Sequence, residues 1–294
     1  MIFISGPPAS PCAELGNFAT QYVTFSRSGV LTCGHDLGTV VPALLYGSRR
    51  VRCVADAHFE VPRLAELYDP LDPDRSDLDA YASLAAEFGA GTVLDIGCGT
   101  GTLACLLADR GLEVIAADPA AASLEVARRK PGAGRVRWVH AEATALPRVQ
   151  VDLVTMTGNV AQVFVTDEEW AAVLGAVHDA LWPGGRLVFE SRDPAQQAWL
   201  GWNRGQTCRH AVIPDAGPVQ TWVDLTKAEG GLVSFRTTFV FGSDGAVLTS
   251  DSTLRFRGRG ELTDSLAAAG LVVDEVRDAP DRPRLEFVFV ARRL

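Results

Sequence analysis

Val93-Leu94-Asp95-Ile96-Gly97-Cys98-Gly99-Thr100-Gly101 is the stretch on which the fold turns. An apolar run carrying one acid breaks into three alternate glycines, and the helical stretch Thr102 to Arg110 follows at once. Glycines permit a tight turn and let backbone N–H groups come close to a ligand. The start of the helix adds further N–H groups without intrahelical partners. A dinucleotide-binding fingerprint needs its third glycine at position 102, where this chain has Thr102. On the glycines alone, a nicotinamide site and a turn that binds nothing remain open beside other nucleotide ligands.

Outward from this turn, strands and helices alternate in the manner of βαβ units. Strands are expected near 92–96, 113–117, 135–139, 151–155 and 185–190, with helices between them. The best-marked helix runs from about 167 to 181. Thr166 with Glu169 makes a capping box, and Trp170, Val173, Leu174, Val177 and Leu181 form its apolar stripe. Pro183-Gly184-Gly185 ends that helix. Upstream, residues 62–90 read as helices, with Leu64, Leu67 and Tyr68, then Leu78, Tyr81, Leu84 and Phe88 at helical spacing. Downstream, Val233, Phe235, Phe239 and Phe241 keep a period of two, and Glu229-Gly230-Gly231 and Ser243-Asp244-Gly245 are hairpin signals. A three-stranded antiparallel insert is expected over 219–257. A helix (261–269) and strands (271–276, 285–291) then return to the α/β pattern.

Strand, D-x-G-x-G-x-G and helix together resemble motif I of the class I S-adenosylmethionine-dependent methyltransferases, of the small-molecule type with a β-strand insert. The resemblance covers about residues 60–294. It implies a Rossmann-like α/β fold: a seven-stranded, mostly parallel sheet, helices on both faces, the last strand antiparallel, plus the antiparallel insert. The domain boundaries follow as 1–58 for an N-terminal extension, 59–208 with 258–294 for the core, and 209–257 for an insert over the substrate side. The implied cofactor is S-adenosyl-L-methionine, its methionine half lying across Asp95, Gly97, Cys98, Gly99 and Gly101. Asp118 closes the strand Glu113 to Asp118 and lies 19 residues past Gly99, about the spacing at which an acid meets a ribose. Pro119 resembles the family's next turn. Glu142 and Ala143 fit the family's adenine slot, although Asp is the commoner acid there. Thr157 and Asn159 fall in the loop that closes near the reactive methyl, and Tyr68 resembles a lid tyrosine.

Methyl transfer from a sulfonium is an in-line displacement, in which the protein mainly positions the acceptor and excludes water. A hydroxyl or acidic carbon acceptor needs a base, and no residue stands out as one. Weak catalytic candidates are His140 and His210; His178 and Glu190 are further titratable groups to weigh. Trp199, Trp202 and Trp222 either wall an apolar substrate pocket or close the core under the insert. Arg255, Arg257 and Arg259 alternate onto one face, to be read as a solvated strand face or as an anion-binding one. The favoured reading is an enzyme acting on an N or O of a small molecule. A non-catalytic S-adenosylmethionine-binding module and a nicotinamide-dependent oxidoreductase are the alternatives.

Composition narrows the partners. The chain has 294 residues, enough for a full core, and a net charge of −9, which makes it a poor candidate for gripping a phosphate backbone. The absence of an Asn/Asp-Pro-Pro-Tyr/Phe motif after the fourth strand points the same way. Neither a long apolar span nor a basic, apolar leader is visible, so no membrane partner and a cytoplasmic location are expected. A homodimer is left open. The six cysteines are scattered, which suits free thiols in a reducing compartment. Cys12, Cys33, Cys53, His35 and His58 lack the close spacing of metal ligands, so no metal is expected. Residues 1 to about 50 read as a poorly ordered extension or an upstream start assignment.

Overall fold

The computed structural model describes residues 22–23 and 55–294. The reading of the N-terminal extension up to residue 54, with Cys12, Cys33, Cys53 and His35, lies outside the described residues. Among the described ones the order is β1 (Tyr22–Val23), α1 (Ala57–Glu60), α2 (Pro62–Ala65), α3 (Tyr68–Leu71), α4 (Leu78–Glu87), β2 (Thr92–Ile96), α5 (Thr102–Asp109), β3 (Glu113–Asp118), α6 (Ala121–Arg128), β4 (Val136–His140), β5 (Val151–Met156) and α7 (Asp167–Ala180). Then come β6 (Leu181–Arg192), α8 (Arg204–Thr207), β7 (Arg209–Ile213), β8 (Gly217–Glu229), β9 (Leu232–Phe241), β10 (Val247–Arg255), α9 (Arg259–Ala268), β11 (Leu271–Asp278) and β12 (Glu286–Arg293).

Seven strands form one sheet in the order β11-β12-β6-β5-β2-β3-β4. The strands from β4 through β6 pair in parallel, while β12 is antiparallel to both β6 and β11. Alternate residues feed opposite faces, as a strand's period of two requires. Val93, Leu153, Val188 and Val290 pack with α4 and α5 on one face. Leu94, Val154, Leu187 and Phe289 pack with α7 and α9 on the other. The capping box forms as the sequence indicates: the Glu169 N–H donates to Thr166 Oγ1 at 3.1 Å, and the Thr166 N–H to Glu169 Oε2 at 3.2 Å. The chain does not turn loosely after α7. Leu181 already pairs with Val151, residues 182–185 bulge out, and pairing resumes with Arg186 opposite Leu153.

The second sheet runs β1-β10-β9-β8-β7, with β7 to β10 antiparallel and β1 parallel to β10. Four antiparallel strands thus replace the three expected. The one missed, β7, is only five residues long, and its hairpin contains Pro214 and a left-handed Asp215 (φ 64°), which read as loop in sequence. The helical stretch 62–90 is also less regular than expected: Pro62 opens α2, and Pro70 and Pro73 interrupt the helix ahead of α4. Arg255, Arg257 and Arg259 do not make one solvated face. Arg257 is buried and donates to the carbonyls of Phe164 and Thr166, Arg255 donates to the Gly230 carbonyl and to Glu261, and Arg259 opens α9. Trp202 is core, packed with Val223, Phe235 and Phe256, and Trp199 meets Phe256 edge-on at 4.7 Å. Cys98 and Cys105 are free thiols, whereas Cys208 is disulfide-bonded, against the expectation of free thiols throughout. No described helix is long and apolar enough to cross a membrane.

Candidate functional site

Strand order reverses between β2 and β5: the chain runs outward through β3 and β4, then returns to the other side of β2. Open α/β sheets bind ligands at the carboxyl ends of their strands beside such a switch point. A cavity of about 280 Å³ lies there, walled by the turn after β2, the ends of β3 and β5, α1, α3 and the inner face of the second sheet. Of the site residues anticipated from sequence, Tyr68, Asp95, Gly97, Cys98, Gly99, Asp118, Pro119, Glu142, Ala143, Thr157 and Asn159 all line it.

The glycines divide their roles. A Cβ on Gly99 would meet nothing within 4 Å, so that stretch of backbone lies open to the cavity. Gly101 stands apart from the cavity wall. A Cβ there would come 2.4 Å from Trp138 Cη2 and 2.9 Å from Ala127 Cβ, so it serves packing under α5 and α6. Asp118 straps the turn, its two carboxylate oxygens accepting the Gly99 and Ala120 N–H groups at 2.8 Å each. Burial raises its pKa above the usual carboxylate range, against the pull of those two bonds. Asp95, buried and accepting from Thr155 Oγ1 at 2.7 Å, is pushed up to about 7 by burial, with the Asp118 charge adding to the effect.

Asp69 explains how Tyr68 reaches the cavity. Its carboxylate accepts from Thr100 Oγ1 at 2.7 Å and pairs with Lys130 at 2.8 Å, which docks α3 on the glycine turn. Burial raises the Tyr68 phenol well above its ordinary pKa. α1 is docked similarly: Ser123 Oγ donates to the Phe59 carbonyl at 3.0 Å, and the Ala121 N–H donates to Glu60 Oε2 at 3.0 Å.

Behind the loop after β5 sits a buried polar network. The left-handed Asn159 (φ 62°) donates its N–H to Glu190 Oε1 at 3.0 Å and its side-chain amide to Glu286 at 3.2 and 3.3 Å. Tyr81 donates to Glu190, Arg282 pairs with Glu286 at 2.8 Å, and Arg192 lies 3.4 Å from the same carboxylate. Burial raises the pKa of Glu190. The group weighed in sequence as a base is therefore committed to holding the Asn159 loop, and it does not line the cavity.

The three histidines weighed in sequence as bases all stand outside the cavity. His140 is exposed, its Nε2 lies 2.9 Å from the Pro119 carbonyl, and it stays outside the cavity. His210 is exposed on β7, near Gln220 and Cys208, and is also outside. His178 contacts Asp179 in the last turn of α7, also outside the cavity. His58, weighed in sequence only as a metal ligand, does line the cavity. Arg75, Arg192 and Thr237 join it there, and nothing in their sequence context marked them.

The comparisons with known proteins agree with this geometry. Residues 93–185 match the family model described as a methyltransferase domain. Residues 93–185 are thus similar to a methyltransferase domain, and they lie in a sheet of the Rossmann-like methyltransferase fold. The chain is 33% identical over 120 residues to the cypemycin N-terminal methyltransferase of a Streptomyces species, which covers 40% of this chain and 49% of that protein. Over 113 residues it is 40% identical to a demethylmenaquinone methyltransferase of Clavibacter sepedonicus, covering 37% of this chain and 43% of that one. The chain thus spans about half the length of these curated relatives. Among solved structures, the sugar N-methyltransferase KedS8 of a Streptoalloteichus species superposes with a TM-score of 0.66 at 21% identity, covering 88% of this chain and 99% of that one. That likeness shows the fold of the domain, second sheet included in the span.

Proposed function

We propose that this chain is an S-adenosylmethionine-dependent methyltransferase that modifies an N or O of a small molecule. The observation that carries the reading is the open Gly99 backbone beside Asp118 and Glu142, all facing one cavity at the switch point of the sheet. These residues fit the cofactor's parts. The turn from Gly97 to Gly99 would take the methionine half, Asp118 the ribose hydroxyls, and Glu142 with Ala143 the adenine. Asn159, which lines the same cavity, adds a buried, unpartnered Oδ1 acceptor. When bound, the cofactor supplies an electrophilic methyl on sulfonium. The protein's part is to orient the acceptor and keep water out.

Nitrogen is the favoured acceptor atom: the cypemycin enzyme's name specifies an N-terminus and that of KedS8 a sugar nitrogen. The cytoplasm and a metabolite partner belong to the same reading. A metabolite extract incubated with the chain and methyl-labelled S-adenosylmethionine should yield a labelled small molecule. Label confined to protein or RNA fractions would overturn the proposal. S-adenosylhomocysteine should bind and NADH should fail to displace it; displacement by NADH would favour the oxidoreductase alternative.

A further inference from the structure

A second cavity, of about 70 Å³, adjoins the first and shares His58, Tyr68 and Thr237 with it. No residue of the glycine turn, nor Asp118 or Glu142, reaches it. His58 stands at the junction. Its backbone N–H donates to Ser250 Oγ on β10 at 2.9 Å, and its ring meets Phe239 of β9 edge-on at 5.0 Å and stacks on Phe59 at 5.1 Å. The imidazole is thus fixed on the second-sheet side, opposite the glycine turn. Its Nε2 is buried without a hydrogen-bond partner, and an orphaned buried polar atom in a cavity wall calls for a ligand group. Beyond it the second cavity offers the Asp72 carboxylate and the Trp222 ring. That ring is held by an Nε1 bond to Asp224 at 2.7 Å and by Arg204 stacked 4.3 Å from its centroid.

We propose that His58 receives the methyl acceptor, its Nε2 taking a hydrogen bond from the acceptor's N–H where the two cavities meet, with the body of a small polar amine in the second cavity against Trp222 and Asp72. This rests on the small-molecule methyltransferase reading and adds to it the acceptor's place and class. Burial drives the imidazole pKa down to about 3, so the ring is neutral at neutral pH and serves as a hydrogen-bond partner, not as a proton store. The acceptor nitrogen's lone pair forms the N–C bond as the C–S bond breaks and leaves its pair on sulfur as a neutral thioether. The proton then shed by nitrogen leaves to water. Holding one N–H on His58 aims the lone pair at the methyl.

The test uses the full chain with labelled S-adenosylmethionine and three sets of probes: amino sugars, their nucleoside diphosphate derivatives and α-amino acids. His58→Phe keeps an aromatic ring beside Phe59 and Phe239 and removes the ring nitrogen; His58→Gln returns a polar atom. Both variants should bind S-adenosylhomocysteine within about threefold of wild type. For the best amine, kcat/KM should fall about 10- to 100-fold in the Phe variant and recover in part in the Gln variant. Undiminished kcat/KM in the Phe variant overturns the inference and leaves the methyltransferase reading standing. So does a loss of S-adenosylhomocysteine affinity beyond about tenfold, which would put the ring on the cofactor. A wild-type chain that methylates none of these amines, only protein or RNA, removes both.

Discussion

Two alternate glycines in one motif carry different loads, and substitution separates them. Gly101→Ala drives a Cβ into Trp138 and Ala127 at a positive φ of 76°. It should cost about 2–4 kcal/mol of stability, read as a lower midpoint in urea. Gly99→Ala has φ 53° and open space around its Cβ. It should cost only about 1 kcal/mol yet weaken S-adenosylhomocysteine binding the more strongly of the two, because the new methyl faces the cavity. Equal stability losses would contradict this division. Asp95 makes a pH prediction. Its folded pKa of about 7 lies above the unfolded value of about 3.9. Its contribution to stability is therefore full below about pH 4 and lost as pH rises to about 7, up to about 4 kcal/mol for a fully expressed shift. The stability of Asp95→Asn relative to wild type should rise between pH 4 and 7, and a difference flat with pH would refute the shift. In sequence the glycine turn was legible because D-x-G-x-G-x-G, with Thr102 where the dinucleotide pattern needs glycine, resembles the methyltransferase motif. His58 was not, because its placement comes from α1 docking on β10 and α6, contacts that no local period announces.

Elements announced themselves in proportion to their periodicity. α7, with a capping box and an apolar stripe, ran within a residue of its expected span. β7 was invisible, being short and closed by Pro214. The polar network shows why some of the site escaped as well. Asn159, Glu190, Glu286, Tyr81, Arg192 and Arg282 come from the loop after β5, from β6 and β12, from α4, and from the turn before β12, and only the antiparallel entry of β12 beside β6 brings them together. Glu286 is the hub, buried between Arg192 and Arg282 with Asn159 on top. Removing one member of a buried charge cluster leaves uncompensated charge. Glu286→Ala should cost about 3–5 kcal/mol by that mechanism. Because Asn159 loses its side-chain anchor, S-adenosylhomocysteine affinity should fall along with it. Glu286→Gln, which keeps an acceptor for Asn159, should recover part of the affinity; if it recovers none, the link from network to loop is wrong.

At the scale of the molecule, the two sheets meet at the cavity: one supplies the glycine turn and Asp118, the other Thr237, Ser252 and Leu254. The alternation of strands and helices made the first sheet readable. The second was read only as a β insert, since its docking depends on how α1 and α2 pack between the sheets. A ligand that fills a cavity walled by both sheets stabilises the folded state of the whole by mass action. At 100 times its Kd, S-adenosylhomocysteine should add about 2.7 kcal/mol, a rise of about 5–10 °C in Tm for a domain of this size. Asp118→Ala removes the proposed ribose partner and the strap on the Gly99 turn, so it should weaken binding about tenfold to a few hundredfold. At the same ligand concentration its Tm shift should drop to half the wild-type value or less. NADH at that concentration should move wild-type Tm by less than about 1 °C, because Thr102 stands where the dinucleotide turn needs glycine. Scanning calorimetry with and without each ligand checks all three. A wild-type shift with NADH equal to that with S-adenosylhomocysteine would mean that the cavity reads only the adenosine half that the two ligands share, and the assignment of the glycine turn to the methionine half would have to be given up.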